Sequence, residues 1–247
     1  MGRVGVNRKL KREKAPKIWP IHRKEFVFTF KPVPGPHPIE RSIPLALILR
    51  DMLNLAKFAR EANKIVKKGM IKVDGRVIRE PRFPVGMMDV LSIPEIESVY
   101  RVFPSKKGLM LHPIGKEEEN VKLCRIESKR LVKGGRIQLT LHDGRNILLP
   151  AEEDGKDYTP LDVLKIQLPD QTILDKFTLK EGSFVMVFEG KHRGEFGRLK
   201  AIEEVGSKLK SLVTIEKESG EQIQTILEYV FVLGEERPSI SIPEVKS

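Results

Sequence analysis

The chain has 247 residues, a formal net charge of +11 and 40% hydrophobic residues, which fits a soluble, folded protein with one large domain or a few small ones. Its one cysteine, Cys124, excludes a disulfide framework and a multi-cysteine zinc site. The sequence has neither an apolar run of the ~20 residues that a membrane helix needs nor a secretory signal. We therefore expect a protein of the reducing cytoplasm.

The positive charge is concentrated at one end of the chain. The first eighty residues carry a net charge of +13, whereas the remaining 167 carry −2. This asymmetry is typical of a protein that binds a polyanion with one region. A nucleic acid and an anionic membrane both fit the pattern, and a solubilising tail is the alternative.

Residues 1–41 are predicted to form a basic, proline-rich arm. Six of the 17 prolines lie here, and this density disfavours helix and favours extended chain. The arm has too few apolar residues for a core, so we expect it to be flexible until it orders on a partner. Trp19 would then stack on a base or pack into that partner. The candidate nucleic-acid contacts of the arm are Arg3, Arg8, Lys9, Lys11, Arg12, Lys14, Lys17, Trp19, Arg23 and Lys24.

Residues 42–97 are predicted to form a compact module that begins with two helices. Ser42 can cap the first helix and Pro44 suits its first turn, after which apolar residues recur at helical spacing. The second helix is expected from about Phe58 to Lys68, and Gly69 is a residue type that commonly follows a helix end.

The second helix has an apolar face opposite a cationic one. Phe58, Ala62, Ile65 and Val66 form the apolar face, and only Glu61 interrupts the cationic residues. So many cations on one face favour contact with nucleic acid over simple solvation.

A hairpin follows the second helix. Asp74-Gly75 between two apolar runs predicts a two-residue turn, and Val85 to Ile93 supplies another strand. The candidate nucleic-acid contacts of the module are Arg41, Lys57, Arg60, Lys64, Lys67, Lys68, Lys72, Arg76 and Arg79.

Residues 98–178 are predicted to form a mostly β domain. Lys106-Lys107-Gly108 is expected to join a hairpin, and Pro113–Asn120 to form one short helix. Cys124 lies in a β pattern and is expected to be a small buried hydrophobe.

Residues 179–234 are predicted to form about five short strands, the content of a small SH3-like barrel, before a tail at 235–247. A strand at Phe184–Phe188 runs into a glycine-rich loop that carries candidate contacts at Lys191, His192, Arg193 and Arg198. The glycines expected to have structural roles in the chain are Gly69, Gly75, Gly190, Gly194 and Gly197.

Catalytic signatures are missing from the sequence. It has no phosphate-binding G-x-x-x-x-G-K-[ST] loop, no dinucleotide-binding G-x-G-x-x-G and no G-x-S-x-G nucleophile motif. The five histidines are scattered, without the spacing of metal ligands. We therefore predict a multidomain α+β, mostly β protein that is not an enzyme and needs no metal or cofactor.

Two segments resemble known RNA-associated domains. The 42–97 module resembles the S-four-type RNA-binding domain through its two helices, its basic second helix and Lys72-Val73-Asp74-Gly75-Arg76. The 184–202 segment resembles the KOW motif of ribosomal proteins and transcription elongation factors. In this order, behind a basic arm, they make the whole chain similar to the small-subunit ribosomal protein S-four-e family of archaea and eukaryotes.

The resemblance implies a structural protein that binds small-subunit ribosomal RNA beside neighbouring ribosomal proteins, with no membrane and no small-molecule substrate. The chain stops soon after Ser241-Ile242-Pro243 without the basic extension of the eukaryotic members, which favours the archaeal form. An RNA-modifying enzyme is one alternative, although Arg198-Leu199-Lys200 has lysine where the Arg-Leu-Asp motif of a pseudouridine synthase needs a carboxylate. A KOW-type transcription factor is the other.

Overall fold

The computed structural model describes residues 9–22, 24–150, 155–203 and 211–243. Within them are two α-helices, α1 (Leu45–Leu47), which continues into a π-helical turn at Ile48–Met52, and α2 (Ala59–Lys67). The strands of these residues are β1 (Leu10–Lys11), β2 (Phe28–Thr29), β3 (Ser42–Pro44), β4 (Lys72–Val73), β5 (Arg76–Val77), β6 (Pro84–Gly86), β7 (Val90–Ile93), β8 (Ser98–Ser105), β9 (Gly108–Pro113), β10 (Val121–Leu131), β11 (Ile137–Leu141), β12 (Asn146–Leu148), β13 (Val163–Gln167), β14 (Ile173–Phe177), β15 (Phe184–Val187), β16 (Phe196–Glu203), β17 (Leu212–Glu216), β18 (Gln222–Ile226) and β19 (Val230–Gly234).

The described strands form three five-stranded antiparallel sheets and two short pairs. The strand orders are β5-β4-β7-β8-β9, β12-β11-β10-β13-β14 and β18-β17-β16-β15-β19, and the pairs are β1-β2 and β3-β6. The predicted mostly β, multidomain architecture is confirmed. Strands β8 and β9 pair onto β7, so the first sheet runs across the boundary predicted at residue 97. No helix among the described residues is long and apolar enough to cross a bilayer.

The prediction that Ser42 caps the first helix is wrong. Ser42 lies in β3, which pairs with β6, and its hydroxyl donates to the Pro38 carbonyl at 2.8 Å. The helix begins only at Leu45, because the amides of Leu45 and Ala46 already donate to the carbonyls of residues 83 and 81, both at 2.9 Å. Backbone carbonyls of a distant loop thus satisfy two of the free N–H groups that a capping side chain would serve.

The second helix and the hairpin after it are confirmed. Gly69, just beyond α2, has φ +77°, the left-handed conformation that commonly ends a helix. Asp74 and Gly75 have φ values of +51° and +74°, and positive φ at both central residues is what a type I′ turn requires. The side chain of Glu61 accepts hydrogen bonds from the backbone amides of Lys57 (2.8 Å) and Phe58 (3.2 Å) at the start of α2.

Two other local predictions are wrong. The strand expected from Val85 to Ile93 is two strands, β6 and β7, because Met88 adopts φ +67° and turns the chain between them. The helix expected over residues 113–120 is one 3-10 turn at Lys116–Glu118, since β9 and β10 leave only seven residues between them.

The arm packs onto the helical module over the residues described. Trp19 is 4% exposed, and its indole N–H donates to the Ser42 carbonyl at 2.6 Å. Its neighbour Ile21 is also buried in the core that includes α1. The carbonyl of Ile18 lies against the Cα of Gly108, in the space that any Cβ would occupy. The expectation that the arm has no core and orders only on a partner is therefore wrong for residues 9–22 and 24–41.

Lys122 on β10 lies at the centre of a buried charged network. Its ammonium group contacts Asp74 (2.7 Å), Asp89 (2.6 Å) and Asp143 (2.9 Å), and all four side chains are buried. Arg145 completes the network by pairing with Asp143 at 3.0 Å and also with Asp74. Asp74 and Asp89 belong to the first module. Lys122 and Asp143 belong to the second sheet, β12-β11-β10-β13-β14, which we also call the central sheet, so the network joins the two.

The arm enters the same network through His37. Its Nε2 lies 3.0 Å from Asp89, and the other Asp89 oxygen accepts the Gly86 amide at 2.8 Å. The His37 ring lies where a Cβ on Gly86 would have to be. Gly86 therefore provides the close approach by which the arm reaches the buried charges.

The ionisation of the network follows from burial and from the facing charges. Burial opposes ionisation of Asp89 and Asp143, but His37 and then Lys122 hold the pKa of Asp89 below its ordinary value, and Lys122 above all does so for Asp143. Burial also raises the pKa of Asp74, which Lys122 and Arg145 only partly offset. Burial disfavours the ammonium of Lys122, yet the three carboxylates raise its pKa well above the ordinary value.

Glycines of the third sheet allow close backbone contacts. Gly194 has φ +81°, and its Cα faces the backbone of Pro104 and Ser105 at the tip of β8. Gly197 faces the carbonyl of Glu216 on β17. The glycine-rich loop thus packs the third sheet against the first, which is the kind of structural role predicted for these residues.

Replacing Lys122 with Met should destabilise the protein by about 3–5 kcal/mol at neutral pH, because it leaves buried carboxylates without their countercharge. Chemical denaturation of the full chain measures the free energy of unfolding. Lys165→Met, on the adjacent strand β13 and outside the network, is the matched control. A loss below about 1 kcal/mol would show that the network does not need its lysine.

The stability difference between wild type and Lys122→Met should shrink in acid. Asp89 and Asp143 have lowered pKa values, so their stabilisation is present above the ordinary aspartate pKa of about 3.9 and is lost as pH falls below it. Once these carboxyls are protonated, the lysine has less charge to compensate. Unfolding measured between neutral pH and strong acid tests this, and a difference that does not change with pH would contradict it.

Gly108→Ala should displace the arm, because the new methyl group would meet the Ile18 carbonyl. We expect a destabilisation of about 1–3 kcal/mol, as for other overpacked sites, and faster proteolysis around residue 18. Gly115→Ala is the matched control, since a Cβ there meets no described atom within 4 Å. Equal rates of proteolysis in the two variants would show that the packing of the arm against Gly108 does not hold the arm in place.

Candidate nucleic-acid interface

Helix α2 presents a continuous cationic stripe to solvent. Arg60, Lys64, Lys67 and Lys68 are all exposed, and no carboxylate among the described residues forms an ion pair with them. They are held outward because Ala62 and Val66, on the opposite side of the helix, are fully buried. Cations without protein partners are free to neutralise phosphates.

The hairpin β4–β5 extends this stripe. Arg76 and Arg79 are exposed, and the guanidinium of Arg79 lies against Gly69 at the end of α2. Lys72 is half-buried at the base of the hairpin. We call the stripe and these three hairpin residues the α2–hairpin surface. The structure therefore brings together the cations that the sequence placed on two separate elements.

The predicted contacts in the arm divide into three groups. Lys9, Lys11, Lys14, Lys17 and Lys24 are exposed. Arg3, Arg8 and Arg23 lie outside the described residues. Arg12 and Trp19 have structural roles instead.

The roles of Arg12 and Trp19 correct the sequence-based expectation. The guanidinium of Arg12 donates to the carbonyls of Ile21 (2.8 Å) and His22 (3.3 Å) and so closes the loop of the arm. Trp19 is buried in the core, so its ring is not available to stack on a base.

The candidate contacts of the glycine-rich loop are not equally exposed. Lys191 is exposed and His192 is half-buried. Arg193 donates from Nε to the Phe188 carbonyl at 3.1 Å, and burial lowers the pKa of its guanidinium. Arg198 is exposed on β16, where it pairs with Phe184.

Arg41 lies beside this loop rather than on the α2–hairpin surface. It forms an ion pair with Glu189 at 2.6 Å and, with Arg193, lines a cleft of about 260 Å³. The guanidinium of Arg125 lies 4.8 Å from the Phe188 ring in the same cleft. These arginines meet at the junction of the arm with the second and third sheets, where Arg41 is paired with Glu189 and Arg125 with Glu127.

Sequence reasoning missed the exposed aromatic residues beside α2. Phe26, Phe28 and Phe58 are exposed, and Arg50 and Arg60 lie in the same groove. Phe58 was expected on the apolar face of α2 but lies at its N-terminus, 58% exposed. Alternating phenylalanines in an arm otherwise rich in lysine and proline are the signal that could have identified this groove.

Three described residues whose side chains could together bind a metal, Cys124, His142 and Asp143, lie at the buried network. Ligand atoms of Cys124, His142 and Asp143 lie within 4.8 Å of one another, but the Lys122 ammonium is 2.9 Å from Asp143. Burial raises the pKa of Cys124 well above its ordinary value and lowers that of His142 to about 3. The expectation that Cys124 is buried is confirmed, and its thiol lies 3.7 Å from Asp143.

Comparison with known families places three matches along the chain. The RS4NT (NUC023) domain matches residues 4–40, the S4 domain matches residues 44–91 and Ribosomal family S4e matches residues 96–173. The S4 match contains α1, α2 and the hairpin, so it covers all of the cations of the α2–hairpin surface.

Curated relatives match over almost the whole chain. The small ribosomal subunit protein eS4 of Hyperthermus butylicus is 48% identical over 252 residues, which cover 99% of this chain and 98% of the relative. The protein of the same name from Methanothermobacter thermautotrophicus is 45% identical over 244 residues, 98% of this chain and 99% of the relative.

A solved structure supports the same relationship. The crystal structure of the 30S ribosomal protein S4e from Thermoplasma acidophilum matches with a TM-score of 0.66 and 33% identity, covering 79% of this chain and 96% of that chain. Since identity of 45–48% extends over nearly the full length of the archaeal relatives, the chain belongs to the S4e family of ribosomal proteins, as its motifs indicated.

Proposed function

We propose that the protein is a structural, non-catalytic constituent of the small ribosomal subunit that binds small-subunit ribosomal RNA. The observation that carries the proposal is the α2–hairpin surface, whose α2 cations are exposed and not paired with described carboxylates. All of it lies within the S4 match, and the curated relatives are small-subunit ribosomal proteins. Phosphate groups of RNA would supply the countercharge.

The exposed lysines of the arm extend the proposed contact. Lys11, Lys14 and Lys17 lie on a segment that Trp19 fixes to the module, so they are presented on an ordered support. An arm that is ordered before binding loses less conformational entropy on the RNA than a flexible one does. We therefore propose that the arm presents its exposed lysines to the RNA from a fixed position on the module.

We also propose the division of the remaining chain. The five-stranded sheet β18-β17-β16-β15-β19 supports a KOW-type SH3-like barrel at residues 179–234. Residues 98–178 contribute strands β8 and β9 of the first sheet and the whole of the central sheet. The less basic part of the chain, after residue 80, would pack against neighbouring ribosomal proteins. Both an RNA-modifying enzyme and a KOW-type transcription factor fit less well, because the similarity to ribosomal relatives extends over 99% of the chain.

Co-sedimentation with small ribosomal subunits at high salt tests the proposal directly. We expect the protein to remain with the subunits and to protect segments of their RNA from chemical probes. Quantitative release into the supernatant, with no RNA protected, would contradict the proposed function.

The double variant Lys64→Gln, Lys67→Gln should weaken binding to ribosomal RNA and reduce its salt dependence. Each lost phosphate contact lowers the slope of log K against log[salt] by roughly 0.7–0.9, so we expect a decrease of about 1.5. The matched control is Lys133→Gln, Arg136→Gln, which removes two exposed cations from the β10–β11 turn. Equal slopes for the two double variants would show that the α2–hairpin surface is not part of the RNA interface.

A further inference from the structure

Three of the eleven phenylalanines are exposed, and they lie together. The structure describes all eleven, and Phe26, Phe28 and Phe58 are 52%, 51% and 58% exposed, whereas the others are buried or half-buried. The three rings line one open groove with Arg50 and Arg60 between the arm and the start of α2. We call these five residues the phenylalanine groove. Clustered apolar surface in contact with water marks a binding surface.

A cation lies beside each exposed ring. The guanidinium carbon of Arg50 is 5.1 Å from the centroid of Phe26, and the ammonium groups of Lys9 and Lys57 lie 5.6 and 5.8 Å from the other two centroids. An apolar protein surface docked here would bury the ammonium of Lys57, which is exposed and has no carboxylate partner among the described residues. Exposed rings bordered by cations are instead the combination that binds single-stranded nucleic acid, since bases stack on the rings and phosphates meet the charges.

Two of the negative groups near the groove, Asp51 and Glu61, already have partners. Both carboxylate oxygens of Asp51 accept from Arg50, at 2.6 and 2.9 Å, which fixes the guanidinium beside the rings. This hydrogen bonding also raises the pKa of Arg50. Glu61 accepts the backbone amides at the start of α2. The groove therefore presents a guanidinium that is held beside its rings before any ligand binds.

The groove is continuous with the α2–hairpin surface. Arg60 belongs to both, because it lines the groove and begins the cationic stripe of α2. An RNA strand whose phosphates follow the stripe would reach the rings at the first turn of the helix.

We propose that the phenylalanine groove stacks unpaired bases of a single-stranded RNA segment whose phosphates lie on the α2–hairpin surface. The proposal rests on the proposed function and adds the kind of RNA structure that is bound. Every base has a π-face, so the groove selects unpaired bases over paired ones without reading their sequence.

Binding of the full chain to a short single-stranded oligoadenylate tests this, with an abasic oligonucleotide of equal length as the comparison. Phe28→Ala and Phe58→Ala should each weaken oligoadenylate binding by roughly 5- to 150-fold, the factor for ~1–3 kcal/mol per stacked base. Neither should change the salt slope or the binding of the abasic strand. Phe28→Tyr should retain the affinity, and Leu131→Ala, at a distant residue that is 75% exposed, is the control.

The outcomes separate this proposal from the proposed function. If the alanine variants bind both oligonucleotides as the wild type does, stacking is overturned while salt-dependent binding to ribosomal RNA still supports the proposed function. If those variants bind RNA normally but fail to enter small subunits, the groove contacts a protein neighbour and stacking is again overturned. If the wild type binds no ribosomal RNA, the proposed function fails and stacking fails with it.

Discussion

The arrangement of the first module, the central sheet and the arm depends on the compensation of one buried ammonium group. Lys122 is fully buried, and a charge in that position is tolerated only when well-placed opposite charges surround it. Its three carboxylates come from both modules, and His37 brings the arm to one of them. Separating these parts would break the ion pairs that compensate Lys122. The network therefore fixes which surfaces meet, while the apolar cores supply most of the driving force for folding.

Elements with local signals could be predicted from the sequence, whereas contacts between distant segments could not. The turn at Asp74-Gly75 and the end of α2 at Gly69 depend on backbone conformations that their own residue types favour. The partners of Lys122 in the first module lie 48 and 33 residues before it, and no local pattern relates them. Lys122 itself lies in an apolar strand pattern, which predicts a strand but not the burial of a charge.

The same distinction applies to the candidate site: its local pattern on α2 could be predicted, whereas its contacts between distant segments could not. The cationic stripe of α2 follows from helical periodicity, because the helix buries one face and exposes the other. Trp19 is buried because its indole donates to the Ser42 carbonyl and because Gly108 leaves space for the arm. Neither of these residues is close to Trp19 in the sequence. The groove was missed for a related reason, since Phe58 on α2 meets the arm phenylalanines only after the arm has folded back.

Basic residues of this protein therefore have two roles, and their partners distinguish them. Arg101 is fully buried and pairs with Glu118, while Arg125 donates to the carbonyls of residues 228 and 230 and so ties the central sheet to the third one. Lys122 likewise joins two modules. The α2 cations are exposed instead, with no carboxylate partner among the described residues. Net charge does not separate these roles, because a buried, paired lysine and an exposed one count alike. The charge available to a polyanion is the unpaired part, and on α2 that part lies beside exposed rings.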